Sequence, residues 1–341
     1  MNFKKCHSRQ SQTPAVTVLL SVFNGERWLS ESIKSVLSQT FTDFEFIIVN
    51  DGSTDNSLTI IRQFSEMDSR ICVYDKPNTG LADSLNYGIE RARGEWIARI
   101  DADDICVSMR LDRQLDIVSS DPTLVLVGSG LCLLDQNGVK GKVFRYPEQH
   151  KSLVKRLTRG GPFFAHSSAL FKTNLVRGMG GYRGRVLRAE DHDLWLRLSE
   201  VGRIGCVKEP LVFIRKHIDQ ISHDEGGKRQ MIDSYVAMIC YWLRDMNCQD
   251  PVHSYSDSAF NEFHAWVKKR LSDEGLFEIF ALVEELKRKN FFVINSRIIS
   301  FYVLLFTIIT SSRKTARWLR ARFLKSVLSK QLANEWAAIS R

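Results

Sequence analysis

Apolar residues fall along the first hundred positions in two alternating rhythms. Residues 16–23 (VTVLLSVF) form a continuous β-rich run, Asn24-Gly25 interrupts it, and Trp28, Leu29, Ile33, Val36 and Leu37 then recur at helical spacing. The alternation repeats at 44–49 (FEFIIV). There Asn50-Asp51-Gly52-Ser53-Thr54-Asp55 supplies a turn and an N-cap for a helix carrying Leu58, Ile61 and Phe64. Residues 71–74 give a third strand, 80–93 a helix and 96–100 (WIARI) a fourth strand. Continuous apolar strands belong to a sheet covered on both faces. Four of them separated by helices predict an α/β fold with a doubly wound, mostly parallel sheet.

Past the fourth strand the pattern predicts a helix at 110–118, a strand over 124–134 broken by Gly128 and Gly130, and a hairpin turn at Asp135-Gln136-Asn137-Gly138. A helix at 151–158 and strands at 166–171 and 210–214 follow. Between those strands, residues 178–184 (GMGGYRG) read as a mobile loop over a site, with a helix starting at Glu190 directly behind. From about Glu225 helical periodicity takes over, at 231–243, 260–271 and 276–287. The expected organisation is a flexible lead-in over 1–13, an α/β domain over 14–224, and a helical region over 225–341 ending in a basic amphipathic tail.

Charge sharpens that division. The formal net charge is +9, yet residues 297–341 hold nine basic residues against the single acid Glu335, so the preceding chain is close to neutral. A nucleic-acid-binding body would carry its positive charge on the main fold, so none is expected. The tail places Leu319, Phe323 and Val327 on one helical face among arginines, a pattern suited to an anionic membrane surface; the alternative is a packed terminal helix with a solvated basic face. Residues 298–310 are uncharged, but 13 residues fall short of the ~20 needed to span a bilayer. The N-terminus has no apolar core of the length a secretion signal needs. Seven scattered cysteines without a C-x-x-C pair indicate neither a disulfide framework nor a zinc ribbon. The expected location is cytoplasmic, peripheral on the inner face of the cytoplasmic membrane.

Three acids, Asp101, Asp103 and Asp104, stand where the fourth strand ends. Carboxylates this close repel one another unless something positive lies beside them, and a hard divalent ion carrying a pyrophosphate meets that need. A solvated turn or a helix cap is the plainer reading of the same three residues. A second acidic group, Glu190, Asp191 and Asp193, opens the helix behind the glycine-rich loop. There is no G-x-G-x-x-G after the first strand and no G-x-x-x-x-G-K-[ST] anywhere, so neither a dinucleotide fold nor a P-loop is supported.

Taken in order, VTVLLSVFNGE, IIVNDGSTDNS, NTGLADSLNYGI, GEWIARIDADD, HSSALF and GGYRGRVLRAEDHDLWLRL resemble the family 2 glycosyltransferases over residues 14–222. The resemblance implies a GT-A fold, a nucleotide-diphospho-sugar donor and inversion at the anomeric carbon. It places Asp51 on the donor base, lined by Ser21, Asn24 and Glu26, with Asp83 and Asp101 also on the nucleotide. Asp103 is placed on a Mn2+ or Mg2+ ion, His217 as a further metal or phosphate contact, and Asp191 as the catalytic base. Ser21 stands where the family usually has proline. Sequence spacing alone leaves Glu190, Asp191 and Asp193 equally eligible as the base.

Such a reaction needs one group to stabilise the departing diphosphate and another to take a proton from the incoming hydroxyl. The expected partners are the donor, a glycan or lipid-linked acceptor in cell-surface polysaccharide synthesis, and a membrane surface for the tail. A sugar nucleotidyltransferase would share the sheet and metal but expects a glycine-rich, basic first loop, unlike SVFNGE. A non-catalytic scaffold of the same fold would have no reason to keep Asp51, Asp101, Asp103 and Asp191.

Overall fold

In the computed structural model of the chain, residues 13–217, 227–277 and 328–340 are described. The first hundred residues fold in the predicted alternation: β1 (Val16–Val22), α1 (Glu26–Leu37), β2 (Phe44–Asp51), α2 (Ser57–Met67), β3 (Ile71–Lys76), α3 (Leu81–Arg91) and β4 (Trp96–Arg99). Every residue of β1, β2 and β4 is buried, as strands without a polar face require. Leu29, Ile33 and Val36 of α1 join Val18, Leu20, Phe46 and Ile48 in one core cluster.

Next come β5 (Ile105–Cys106), α4 (Arg110–Ser120), β6 (Leu124–Leu134), β7 (Lys140–Phe144), α5 (His150–Leu157), β8 (Leu170–Lys172), α6 (Thr173–Gly178), α7 (Glu190–Val201) and β9 (Arg203–Arg215). The strands form a single sheet in the order β3-β2-β1-β4-β8-β6-β9-β5, with β7 on β6. β1 to β4 are mutually parallel; β8 runs against both β4 and β6, and β9 is parallel to β6. The short strands β5 and β7 are antiparallel to β9 and β6. The sheet is therefore mostly parallel, as expected.

Three predicted elements differ. The strand expected at 166–171 begins as a 3-10 turn over His166–Ser168, because Ser168 binds back through both its N–H and its Oγ to the Ala165 carbonyl. Only Leu170, Phe171 and the following Lys172 are left to pair. The strand expected at 210–214 is the end of the 13-residue β9, which pairs along the whole of β6 and stays in step through register shifts. Gly128 and Gly130 do not break β6. A Cβ on Gly128 would lie 2.0 Å from the Phe164 ring, so the glycine admits an aromatic plug instead of a bend. Cys72 is disulfide-bonded, whereas Cys106, Cys132, Cys206, Cys240 and Cys248 are free.

The chain divides into two compact units. The sheet belongs to the first; the second contains residues 158–160, 185–189 and the chain beyond 219. Its described helices are α8 (Lys228–Asp245), α9 (Pro251–Ser254), α10 (Asp257–Asp273) and α11 (Leu328–Ile339). Asp250 and Ser256 cap α9 and α10 through their side chains. α11 packs within this unit: Leu328, Leu332 and Ala333 are buried, Glu335 pairs with Arg270, and Trp336 Nε1 donates to Tyr255 Oη at 3.1 Å. The end of the expected basic tail is thus a packed helix; the expectations for 278–287, 298–310 and 311–327 lie outside the described residues. No described helix is long and apolar enough to cross a membrane.

Candidate active site

Strand register positions the first half of the site. Val22 of β1 lies opposite Asn50 of β2, and Leu19 opposite Arg99 of β4. Asp51 and Asp101 therefore leave the sheet at its carboxyl edge on either side of β1, two strand spacings or roughly 10 Å apart. Open α/β sheets form their ligand crevice along this edge.

The loops after β1 and β2 lock into each other. Asn24 takes a left-handed conformation (φ 53°), and its Oδ1 accepts the Thr54 N–H at 2.8 Å. Its own N–H donates to Ser53 Oγ, that of Gly25 to Ser57 Oγ and that of Glu26 to Asp55. Glu26 Oε2 returns the contact by accepting from the backbone and side chain of Asn56, both at 2.8 Å. Asn24 and Glu26 thus tie the two turns together at the carboxyl edge of the sheet. Ser21 is buried beside them, while Asp83 is exposed on the first turn of α3.

Asp51 is 2% exposed and held by three donors. Its carboxylate accepts from Thr79 N at 3.0 Å, Gly80 N at 2.9 Å and Lys76 Nζ at 2.5 Å. Burial alone would raise its pKa, but these donors outweigh it and hold the carboxyl below its ordinary value. Gly52 is what lets the chain turn here: its φ is +71°, and a Cβ would sit 2.7 Å from Asn78 N.

The acidic loop after β4 is held from three sides. Arg99, fully buried, ion-pairs with Asp101 from beneath. Ser167 Oγ accepts the Asp101 N–H at 3.1 Å and lies 2.6 Å from Asp101 Oδ2 and 2.5 Å from Asp104 Oδ2. Burial and the charges of Asp103 and Asp101 push the pKa of Asp104 well up. Asp101 is held low: partial burial works against its charge, and Arg99, His166 and Ser167 prevail. From the third side comes Arg215, 2% exposed. Its N–H donates to Asp104 Oδ1 at 3.0 Å, its Nε to the Asp103 carbonyl at 3.1 Å, and its guanidinium to Glu31 at 2.6 Å. Two residues on, and so on the same side of the extended chain, His217 Nε2 lies 2.8 Å from Asp103 Oδ2, with its ring tilted on Trp28 at 4.2 Å. Burial and the neighbouring Asp101 charge raise the pKa of Asp103.

The opposite wall is the start of α7, where three acids have three fates. Asp193 is fully buried, and both its oxygens are taken by guanidinium donors, from Arg183 and from Arg197 at 2.9 Å. It is a structural anchor. Among the described contacts Asp191 Oδ1 accepts the His192 N–H alone, at 2.7 Å, and burial together with the charge of Asp101 raises its pKa to about 6. Glu190 Oε2 has no hydrogen-bond partner among the described residues, and burial plus the Asp191 charge raises its pKa to about 8. Contacts link this helix end to the β4 loop: Ser167 lies 2.6 Å from Asp101, its neighbour His166 meets Tyr182 of the glycine-rich loop, and Arg183 of that loop binds Asp193. His166, its pKa lowered to about 3 by burial, meets Tyr182 Oη at 2.7 Å between them.

The glycine-rich loop is tied down where the sequence suggested a mobile cover. Tyr182 is 2% exposed, its N–H and C=O are both bound to the Asn86 amide, and Arg197 donates to the Gly181 carbonyl at 2.7 Å. With Arg183 on Asp193, the loop becomes a brace for α7.

The family description Glycosyl transferase family 2 matches residues 17–180. The chain is 35% identical over 211 residues to EpsE of Bacillus subtilis, covering 60% of this chain and 74% of that protein. It is 32% identical over 185 residues to the O-antigen biosynthesis glycosyltransferase WbnJ of Escherichia coli, covering 54% of this chain and 71% of WbnJ. The chain belongs to the family 2 glycosyltransferases. Its fold is also that of a solved structure, the mannosyltransferase PcManGT of Pyrobaculum calidifontis in complex with GDP-Man and Mn2+, at TM-score 0.53 and 16% identity over 94% of this chain and 88% of that one. The GT-A architecture expected from the sequence is the one observed. For a family 2 member, the matched stretch contains Ser21, Asn24, Glu26, Asp51, Asp83, Asp101 and Asp103, while Asp191 and His217 lie beyond it.

Arg99, which flanks the acidic cluster, is expected from the sequence to hold the loop by ion pairing, and it does so on Asp101. Lys76, Ser167 and Arg215 were not singled out, and of these only Arg215 carried a readable signal, its strand spacing from His217. Lys76 and Ser167 carried none, since each gains its role from a partner at least 25 residues away.

Proposed function

We propose that this chain is an inverting transferase that moves a sugar from a nucleotide-diphospho-sugar to a hydroxyl of a glycan or lipid-linked acceptor in cell-surface polysaccharide synthesis. The observation that carries the reading is Asp191. Of the three acids that open α7, it is the one ionised at neutral pH with no cation on it among the described contacts, and the His166–Tyr182 contact links its helix to the Asp101 loop. In this reading Asp51 receives the base of the donor nucleotide, with Ser21 and Asp83 near it and Asn24 and Glu26 holding the two turns together. Asp101 faces the ribose. Ionised at neutral pH, Asp191 takes the proton of the acceptor hydroxyl as that oxygen attacks the anomeric carbon. Glu190, still protonated there, adds no competing charge.

Asp103 and His217 fit a divalent ion such as Mn2+ or Mg2+. A carboxylate oxygen and an imidazole nitrogen already in contact are suitable donors, and among the described residues no third His, Cys, Asp or Glu completes a cage. Such a two-ligand site suits an ion that takes the rest of its shell from water and phosphate oxygens. When bound, the ion would neutralise charge on the leaving diphosphate. The GDP-Man bound by PcManGT supports a nucleotide-sugar donor, and the O-antigen role of WbnJ a polysaccharide product. The cytoplasmic, membrane-peripheral location remains part of the proposal and rests on the charged tail.

The test is a panel of UDP-, GDP- and dTDP-sugars with Mn2+, scored for donor turnover. Asp191→Asn is expected to cut turnover by roughly 10² to 10⁴ while leaving nucleotide binding by calorimetry intact. Full activity in that variant would end the assignment.

A further inference from the structure

The β6–β7 hairpin is used by none of the chemistry above, although the cavity at its base shares Arg215 and Glu31 with the strap on the acidic loop. Residues 135–143 are all exposed, and β7 pairs only with β6, leaving its other edge open among the described residues. Between Asp135 and Glu148 the chain carries Lys140, Lys142 and Arg145 and no acid. Val139 is 64% exposed and Val143 38%, two of the few large apolar side chains left open on the described surface. The ammonium groups are held over aromatic rings, Lys140 above Phe213 and Lys142 above Phe144. The arm is also anchored: Asp135 Oδ1 accepts from both Asn137 N and Val139 N, and Gly138 supplies the positive φ of the turn. Next to it lies a cavity of about 330 Å³ lined by Lys140, Asn137, Phe213, Arg215 and Glu31, wide enough for a phosphate headgroup.

An exposed edge strand is ordinarily protected by charge. Here the charge between Asp135 and Glu148 is all of one sign, interleaved with aliphatic and aromatic groups, and beside a cavity whose available cation is Lys140, the Arg215 on its wall being paired with Glu31. That combination matches a surface that is anionic outside and apolar a few ångströms in. We propose that the β6–β7 arm is a docking surface for an anionic phospholipid membrane, separate from the C-terminal tail. The valines would enter the headgroup layer, with the lysines and Arg145 on lipid phosphates. Three cations near such a surface favour partitioning by about a hundredfold, an advantage that salt erodes. The inference does not depend on the transferase reading, because vesicle binding requires no donor.

Hydrogen exchange of the full chain reads the arm locally and so separates it from the tail. Amides of 139–144 are expected to slow on phosphatidylglycerol-containing vesicles at low salt, and not on phosphatidylcholine alone. Lys140→Gln with Lys142→Gln should lower vesicle partitioning roughly thirtyfold with an unchanged melting temperature. Binding to anionic vesicles with unchanged exchange in the arm would overturn the proposal. So would protection that rises with protein concentration in the absence of lipid, which would make the edge a seam between copies, or protection by a free anionic glycan but not by vesicles.

Discussion

The two walls of the crevice use the same residue type in opposite ways. On the β4 side, Asp101, Asp103 and Asp104 are crowded, and each is answered by a group from another element: Arg99 beneath, Ser167 from the turn before β8, Arg215 and His217 from β9. On the α7 side, two arginines go to Asp193 and no cation pairs with Asp191 or Glu190 among the described contacts. One wall keeps Asp101 charged and ready to meet cations; the other leaves carboxyls that exchange protons near neutrality. What an aspartate does here is decided by which side chain supplies the opposing charge.

The sharpest way to break that contrast is to remove the anchor. Asp193→Ala strands Arg183 and Arg197 without their buried partner and should cost about 3–5 kcal/mol. A melting temperature lowered by about 10 °C is the corresponding readout. A variant melting like the parent would mean the arginines have another outlet. Next in size is the strap on the opposite wall: Arg215→Met removes the bonds to the Asp103 carbonyl and Glu31 and should weaken apparent Mn2+ affinity about 10- to 100-fold, measured by metal titration of donor turnover. Unaltered metal dependence would detach Arg215 from the loop's function.

Titration separates the walls without mutation. A base with a pKa of about 6 is protonated, and useless, below that value. kcat/KM should therefore fall about tenfold per pH unit below 6 and level off above it. A limb centred near pH 4 would point to an acid of ordinary pKa instead. The smallest effect is expected of Ser167→Ala, roughly fivefold to tenfold in donor KM with kcat nearly unchanged, the worth of one or two hydrogen bonds. A loss confined to kcat would place Ser167 on the chemistry instead of the loop.

The parallel half of the sheet was legible because its strands are buried on both faces and read as unbroken apolar runs, from VTVLLSVF to WIARI. The short antiparallel pieces were not. β8 is three residues long and owes its existence to the slot between β4 and β6, which no local pattern encodes. The acidic clusters were equally visible, but their division of labour was not. Glu190, Asp191 and Asp193 look alike in sequence, and only Arg183, ten residues upstream, and Arg197, one helical turn on, single out the anchor. The glycine-rich loop misled for a related reason: glycines report backbone freedom, whereas Asn86, from α3, supplies the bonds that remove it.

The interlocked turns after β1 and β2 have a practical corollary for engineering. Each supplies the other's missing hydrogen-bond partners, through Asn24 with Thr54 and Glu26 with Asn56. A chimera that imports one of these turns from a relative to change nucleotide preference would orphan several backbone amides at once. Segments 21–26 and 51–57 have to be transplanted as a pair.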